Sequence, residues 1–146
     1  MRTTTTRQYR DTQVDVRFVL CALWSTMLFV FAYVDIFGFY RADVLGAALD
    51  GRMAATSFTV DQTFLTLTLV YLLPSILMVV LSLLLRPRVN RVVNIVAGLF
   101  YMITIIASCI GETWAYYILG SLVEATLLAA VIRVAWKWPP PRLVTT

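Results

Sequence analysis

Long apolar blocks alternate along the chain with short polar segments. Four of these blocks cover residues 16–40, 63–85, 92–111 and 115–135. Each has about the 20 residues that a helix needs to cross a hydrocarbon core of about 30 Å. The apolar residues run continuously within each block, which favours helices over the alternating strands of a membrane barrel. The pattern therefore predicts an all-α fold, a bundle of four transmembrane helices.

The composition agrees with a membrane location. Hydrophobic residues make up 60% of the 146 residues and charged residues only 14%, and the mean hydropathy is +0.82. Soluble domains average about 25% charged residues. We therefore expect one membrane domain at residues 16–138, with a loose polar tail at 1–15 and a Pro-rich tail at 139–146. The first block is expected to stay uncleaved, because it exceeds a signal peptide's apolar run of about 7–15 residues.

The distribution of Lys and Arg predicts the orientation. With four spans, the N-terminus, the middle turn and the C-terminus share one side of the membrane. That side carries ten basic residues, and the other side carries only Arg41 and Arg52. Cytoplasmic loops are enriched in Lys and Arg. The protein is therefore expected in the inner membrane of a cell, with both termini in the cytoplasm. Because topology explains the excess of basic residues, no nucleic-acid partner is required.

The outer loop at residues 41–62 contains the stretch "ADVLGAALDG". Asp43 can serve as an N-cap and Gly51 as a C-cap of a short helix between them. Its apolar face predicts a helix that lies on the outer membrane surface, with an irregular loop as the alternative. On the cytoplasmic side, "RPRVNR" is expected to form a turn in which Pro87 ends the second span.

The C-terminal stretch "AWKWPPPRLVTT" places two tryptophans, Trp136 and Trp138, after the fourth span. Tryptophan is enriched at the level of the lipid headgroups, so the two residues are expected to anchor the helix there. The prolines then favour an extended tail. A Pro-rich recognition peptide is the alternative.

Several kinds of chemistry lack the residues they require. The chain has no His, which excludes His-based metal sites and Ser-His or Cys-His catalytic pairs. Cys21 and Cys109 fall in opposite halves of the bilayer, too far apart for a disulfide, so both are expected to stay reduced. No Gly-rich phosphate loop is present. We therefore predict no catalytic residue, no cofactor and no metal site.

Small residues and one proline interrupt the apolar spans. Small residues let transmembrane helices approach closely, and the candidates are Gly98, Gly111, Gly120 and Ser121. Pro74 is expected to kink the second span. The polar face that accompanies it contains Tyr71, Ser75, Met78 and Ser82. Its hydroxyls are expected either to satisfy backbone groups that the kink frees or to line a cavity.

Two acids, Asp35 and Glu124, lie inside the first and fourth spans. An acid at the centre of a bilayer is unfavourable by about 2.5–3.5 kcal/mol, so such residues normally face the bundle interior and have a partner. Both fall in the outer half, where no Lys or Arg is available. The hydroxyls that remain as partners belong to Tyr33, Tyr101, Thr104, Ser108 and Tyr117. A ligand-binding set of Asp35, Glu124, Tyr33, Tyr101 and Ser121 is therefore the candidate site.

Three stretches, "AYVDIFGF", "RVNRVVNIVAG" and "AWKWP", carry a family resemblance. Through these stretches, residues 17–141 resemble an uncharacterised family of small four-helix bacterial membrane proteins. One residue of the second stretch, Asn94, is also expected to form a hydrogen bond to another helix. The resemblance rests on Tyr-x-Asp late in the first span, Arg-x-x-Asn before the third, an acid in the fourth, and a terminal Trp-Lys-Trp-Pro. It implies the fold and a bacterial inner membrane, and no activity.

Two functions from different classes remain open. In the first, the protein is a structural or accessory membrane subunit, with a membrane-protein partner or a second copy of the chain. In the second, it is a binding or transport bundle whose outward-facing pocket on Asp35 and Glu124 takes a proton or a small, cationic molecule. An enzyme is the third reading, because acids and tyrosines alone specify no reaction.

Overall fold

The computed structural model describes residues 14–54, 56 and 58–138, and this part of the chain contains five helices. They are α1 (Val16–Gly38), α2 (Ala42–Leu49), α3 (Gln62–Leu84), α4 (Pro87–Ser108) and α5 (Ala115–Trp136). All but α2 are long and apolar enough to cross a membrane. The predicted all-α fold is therefore confirmed, and each predicted span corresponds to a helix that is long and apolar enough to cross a membrane. The Pro-rich tail and nearly all of the N-terminal tail lie outside the described residues.

The four long helices pack in an up-and-down order. Helix α5 packs closely against both α1 and α4, while α3 packs against α1 and touches α4 only weakly. One end of the bundle holds α2 and the turn between α4 and α5, and we call it the α2 end. The opposite end holds the turn between α3 and α4, and we call it the Pro87 end.

The helix boundaries follow from local capping. The Asp15 carboxylate accepts a hydrogen bond from the Arg17 backbone N–H at 2.8 Å, and Asp61 caps α3 in the same way. Pro87 occupies the first turn of α4, where its missing N–H is not needed. Three predicted boundaries differ from the helices by two or more residues. Helix α4 begins at Pro87 instead of residue 92 and ends at Ser108 instead of residue 111, and α1 ends at Gly38 instead of residue 40.

The predicted short helix in the loop is present as α2, but its N-cap was predicted wrongly. Arg41 is the N-cap, and Asp43 lies in the first turn. The Asp43 carboxylate accepts a hydrogen bond from the Arg41 guanidinium at 2.7 Å. Gly51 follows the C-cap residue Asp50 with a φ of 68°, a left-handed conformation that favours glycine.

Two of the predicted small residues mark close helix contacts. A Cβ atom on Gly120 would overlap the side chain of Val34 on α1, and one on Gly98 would lie 2.9 Å from Cγ1 of Ile132 on α5. These positions therefore let α5 approach α1 and α4. The prediction for Gly111 was wrong, because this residue lies in the turn after α4 with a φ of 86°.

Hydroxyl groups bond to the α3 backbone around Pro74, which was one of the two predicted alternatives: the Ser75 hydroxyl donates to the Leu72 carbonyl at 2.7 Å, and a second hydroxyl comes from another helix. Pro74 lies inside α3, and the Tyr101 hydroxyl from α4 bridges the backbone one turn around it. This hydroxyl accepts from the Ser75 N–H at 3.2 Å and donates to the Tyr71 carbonyl at 2.5 Å. The polar face of α3 therefore packs inward, and Tyr101 fixes α3 to α4 at the proline.

A buried polar network joins three helices near the Pro87 end. The Trp24 indole N–H donates to Oδ1 of Asn94 at 2.8 Å, and the Asn94 amide donates to Oδ1 of Asn90 at 2.6 Å. The Asn90 amide in turn donates to the Ser82 carbonyl at 2.6 Å. All four side chains are fully buried. The expected bond from Asn94 to another helix is thus confirmed, and its partner is Trp24 on α1.

Candidate functional site

Glu124 is the buried acid of the bundle. It lies on α5 with 3% of its surface exposed, and its Oε1 atom has no hydrogen-bond partner among the described residues. Gly120, one turn earlier on the same helix, packs against Val34 of α1, so α1 and α5 lie close together one turn from Glu124. An unsatisfied buried polar group is unfavourable by about 1–3 kcal/mol. Glu124 is therefore the residue around which a candidate binding site is built.

Asp35 approaches Glu124 from α1. Its side chain is exposed, and it lies one turn before the end of α1 at Gly38. It directly follows Val34, whose side chain packs at Gly120, one turn from Glu124 on α5. The two acids therefore lie on facing segments of α1 and α5, with Asp35 at the surface and Glu124 inside.

Helix α3 leaves this part of the bundle open. Its buried side chains are Ser75, Met78 and Ser82, all on the Pro87 side of Pro74. On the α2 side of Pro74, none of its side chains is fully buried. Helix α3 therefore covers the half of the bundle that contains Glu124 less completely than the other half.

The other three candidate residues fall in different places. Ser121 is buried one turn from Glu124 on the same face of α5. The buried Tyr101 hydroxyl forms two hydrogen bonds with the backbone of α3. Tyr33 is 57% exposed and borders an apolar groove of about 470 Å³ between α1 and α5. Two residues along a helix turn the side chain by about 200°, so Tyr33 points away from Asp35. The structure places Ser121 with the two acids and separates Tyr33 from them. Ligand binding by these residues stays a prediction.

A second cluster at the α2 end did not emerge from the sequence. The Arg41 guanidinium forms ion pairs with Asp43 at 2.7 Å and Glu112 at 3.1 Å, and it lies 4.5 Å from the ring centroid of Trp114. We call these four residues the Arg41 cluster. Its ion pairs connect the start of α2 to the turn before α5. In the sequence, Arg41 and "GETW" look like ordinary loop residues 71 positions apart.

The Arg41 cluster has strongly paired charges. Hydrogen bonds from the backbone N–H groups of Trp114 and Thr113, with the nearby guanidinium, lower the pKa of Glu112. The hydrogen bond from Arg41 lowers the pKa of Asp43, and the paired carboxylates raise that of Arg41. All three groups are therefore charged at neutral pH. Arg41 is already engaged and is not a counter-ion for Asp35 or Glu124.

No Lys or Arg side chain of the described residues forms an ion pair with Asp35 or Glu124. In the described part of the chain, the ion pairs are Arg41–Asp43, Arg41–Glu112 and Arg52–Asp50. That same part contains no group of three His, Cys, Asp or Glu side chains that could hold a metal ion. Two carboxyl groups near hydroxyls, without a basic partner, can hold a proton or a single small cation.

The fold and site together define a helical bundle with four membrane-spanning candidates, a buried acid at Glu124 and an exposed acid at Asp35. The chain belongs to the family of unknown function DUF6326, which it matches over residues 10–145. This agrees with the predicted resemblance to an uncharacterised family. Neither curated proteins nor solved structures give a match.

Proposed function

We propose that the protein is a multi-pass membrane protein that binds a proton or a small cation between Glu124 and Asp35. The observation that carries the proposal is the buried Oε1 atom of Glu124, which has no partner among the described residues. A bound proton or cation would satisfy it. The exposed Asp35 would attract a cation toward this site, because a surface carboxylate is negative and the preceding residue, Val34, packs one turn from Glu124.

We further propose that the Pro87 end faces the cytoplasm of a bacterial cell and that α2 lies on the outer surface of the inner membrane. Support comes from the bias of Lys and Arg toward the Pro87 end. The acid site would then open outward.

Labelling of a single cysteine tests this orientation. In a chain without Cys21 and Cys109, an Ala48→Cys variant places a thiol on α2. A membrane-impermeant maleimide is expected to label it on intact cells whose outer membrane has been made permeable. Labelling only after the inner membrane is opened would reverse the proposed orientation.

Replacement of Glu124 tests the binding site. Glu124→Gln keeps the shape and removes the charge, so we expect it to fold but to lose ion binding. Thermal unfolding of the full chain in nanodiscs is measured with sodium, potassium, magnesium and tetramethylammonium. A ligand at 100 times its Kd stabilises by about 2.7 kcal/mol. Infrared difference spectra across neutral pH report proton binding through the carboxyl band.

The matched control is Asp50→Asn, because Asp50 is an exposed acid at the same end of the bundle. We expect it to keep the cation-induced stabilisation or the carboxyl signal of the native chain. Identical responses of the native chain and Glu124→Gln in both measurements would refute the proposed site.

A structural or accessory subunit is the second candidate function. The groove between α1 and α5 favours it, since Phe29, Tyr33 and Phe37 are exposed there along one side of α1. A helix of a membrane-protein partner or of a second copy of the chain would cover this face. Under this reading, Glu124→Gln leaves ion responses unchanged, while Phe29→Ala with Phe37→Ala dissociates a complex purified from native membranes.

A further inference from the structure

The Pro87 end carries a concentration of basic side chains. Of the residues whose structure is described, six basic ones lie at this end: Arg17, Arg86, Arg88, Arg91, Arg133 and Lys137. The one described acid there, Asp15, accepts the capping hydrogen bond of α1. All three ion pairs of the described residues lie at the α2 end. The described part of the Pro87 end is therefore strongly basic and would attract anions.

Part of this charge borders a groove on the surface of α5. The groove has a volume of about 540 Å³ and is lined by Met102, Ala129, Ile132, Arg133, Trp136 and Lys137. All but Met102 belong to one face of α5, and Met102 comes from α4. From Ala129 to Lys137 the helix rises by about 12 Å. The groove thus has an apolar part toward the bundle centre and a basic part at the helix end.

A third base approaches the same groove from α4. The Arg91 guanidinium lies 5.6 Å from the ring centroid of Trp136, within the range of a cation–π contact. Arg91 therefore holds a third base beside Trp136, which lines the groove together with Arg133 and Lys137. Neither Arg133 nor Lys137 takes part in an ion pair with a described residue.

We propose that this groove binds one anionic phospholipid. An acyl chain would lie along Met102, Ala129 and Ile132, and the phosphate would lie between Arg133 and Lys137. Basic pockets between transmembrane helices are known to bind anionic headgroups, and tryptophan favours this level of the membrane. An apolar wall continuous with a basic rim fits a lipid better than it fits a free phosphate ion. The proposal is independent of the acid site at the opposite end.

Native mass spectrometry of the detergent-purified full chain tests the proposal with phosphatidylglycerol and phosphatidylcholine as probes. We expect the native chain to prefer phosphatidylglycerol. Each base near a headgroup contributes about 1 kcal/mol, so Arg133→Gln with Lys137→Gln is expected to weaken phosphatidylglycerol binding about 30-fold. The control Arg52→Gln removes an exposed base at the α2 end and is expected to leave binding unchanged.

A second variant tests the apolar wall of the groove. Ala129→Phe fills the groove from an exposed position and keeps every base, so it is expected to weaken phosphatidylglycerol binding while monomeric elution and helicity are retained. Soluble glycerol phosphate, which has no acyl chain, is expected not to displace the lipid. Equal binding of the two lipids, or loss in the charge variant but not in Ala129→Phe, would overturn the proposed site. Displacement by glycerol phosphate would also overturn it, since a phosphate would then suffice.

Discussion

Replacing Asn94 by alanine is expected to lower the free energy of unfolding by about 3 kcal/mol. The substitution leaves the Trp24 indole N–H without its acceptor and takes a bond from Asn90, both fully buried. An unsatisfied buried donor is unfavourable by about 1–3 kcal/mol, and the cavity adds to this. Unfolding of the purified protein in mixed micelles of increasing denaturing detergent measures the change.

Two comparisons make the Asn94 result specific. Thr26→Ala also removes a hydrogen-bonding side chain, but its hydroxyl donates to the Ala22 carbonyl of its own helix at an exposed position, so little change is expected. In a Trp24→Phe background, Asn94→Ala is expected to be less destabilising, because the donor is already gone. Equal effects of Asn94→Ala in both backgrounds would show that the Trp24–Asn94 bond does not couple the helices.

Replacing Gly120 by alanine is expected to destabilise the bundle by about 2 kcal/mol. The new Cβ would overlap Val34, which is β-branched and therefore stiff within α1. Overpacking of this kind typically destabilises by about 1–3 kcal/mol. The same micelle titration measures the effect.

Gly46 provides a matched glycine control, since a Cβ there has no neighbour within 4 Å. Gly46→Ala is expected to be neutral or to stabilise α2 by up to about 1 kcal/mol through helix propensity. Val34→Ala, added to Gly120→Ala, is expected to recover part of the lost stability. If Gly46→Ala and Gly120→Ala change the free energy of unfolding equally, the small size of Gly120 is not required for the close approach of α1 and α5.

The features that could be predicted from sequence depend only on which residues occur within one helix. Continuous apolar runs indicate the spans, and the polar Asn94 in such a run requires a partner. Gly98 and Gly120 lie within helices, where small size has a clear use, and the structure confirms their contacts.

What the sequence did not reveal depends on rotation about helix axes and on contacts between distant segments. Counting residues gave approximate depths for Tyr33 and Asp35 but not their directions, and the two point to different sides of α1. Tyr101 was a candidate for ligand binding, yet its hydroxyl bonds to the α3 backbone. The Arg41 cluster joins two loops that carry no shared pattern.

The proline in α3 divides that helix into two mechanically different parts. From Gln62 to Leu73 the helix is a lever about 18 Å long, pivoting where the Tyr101 hydroxyl bridges its backbone. No side chain of the lever is fully buried, and its hydroxyl contact to α4, from Tyr71 to Thr104, lies close to the pivot. A swing of about 10° would move its free end by about 3 Å. Such a swing would displace half a helix while the buried side chains of the other half kept their packing at the Pro87 end.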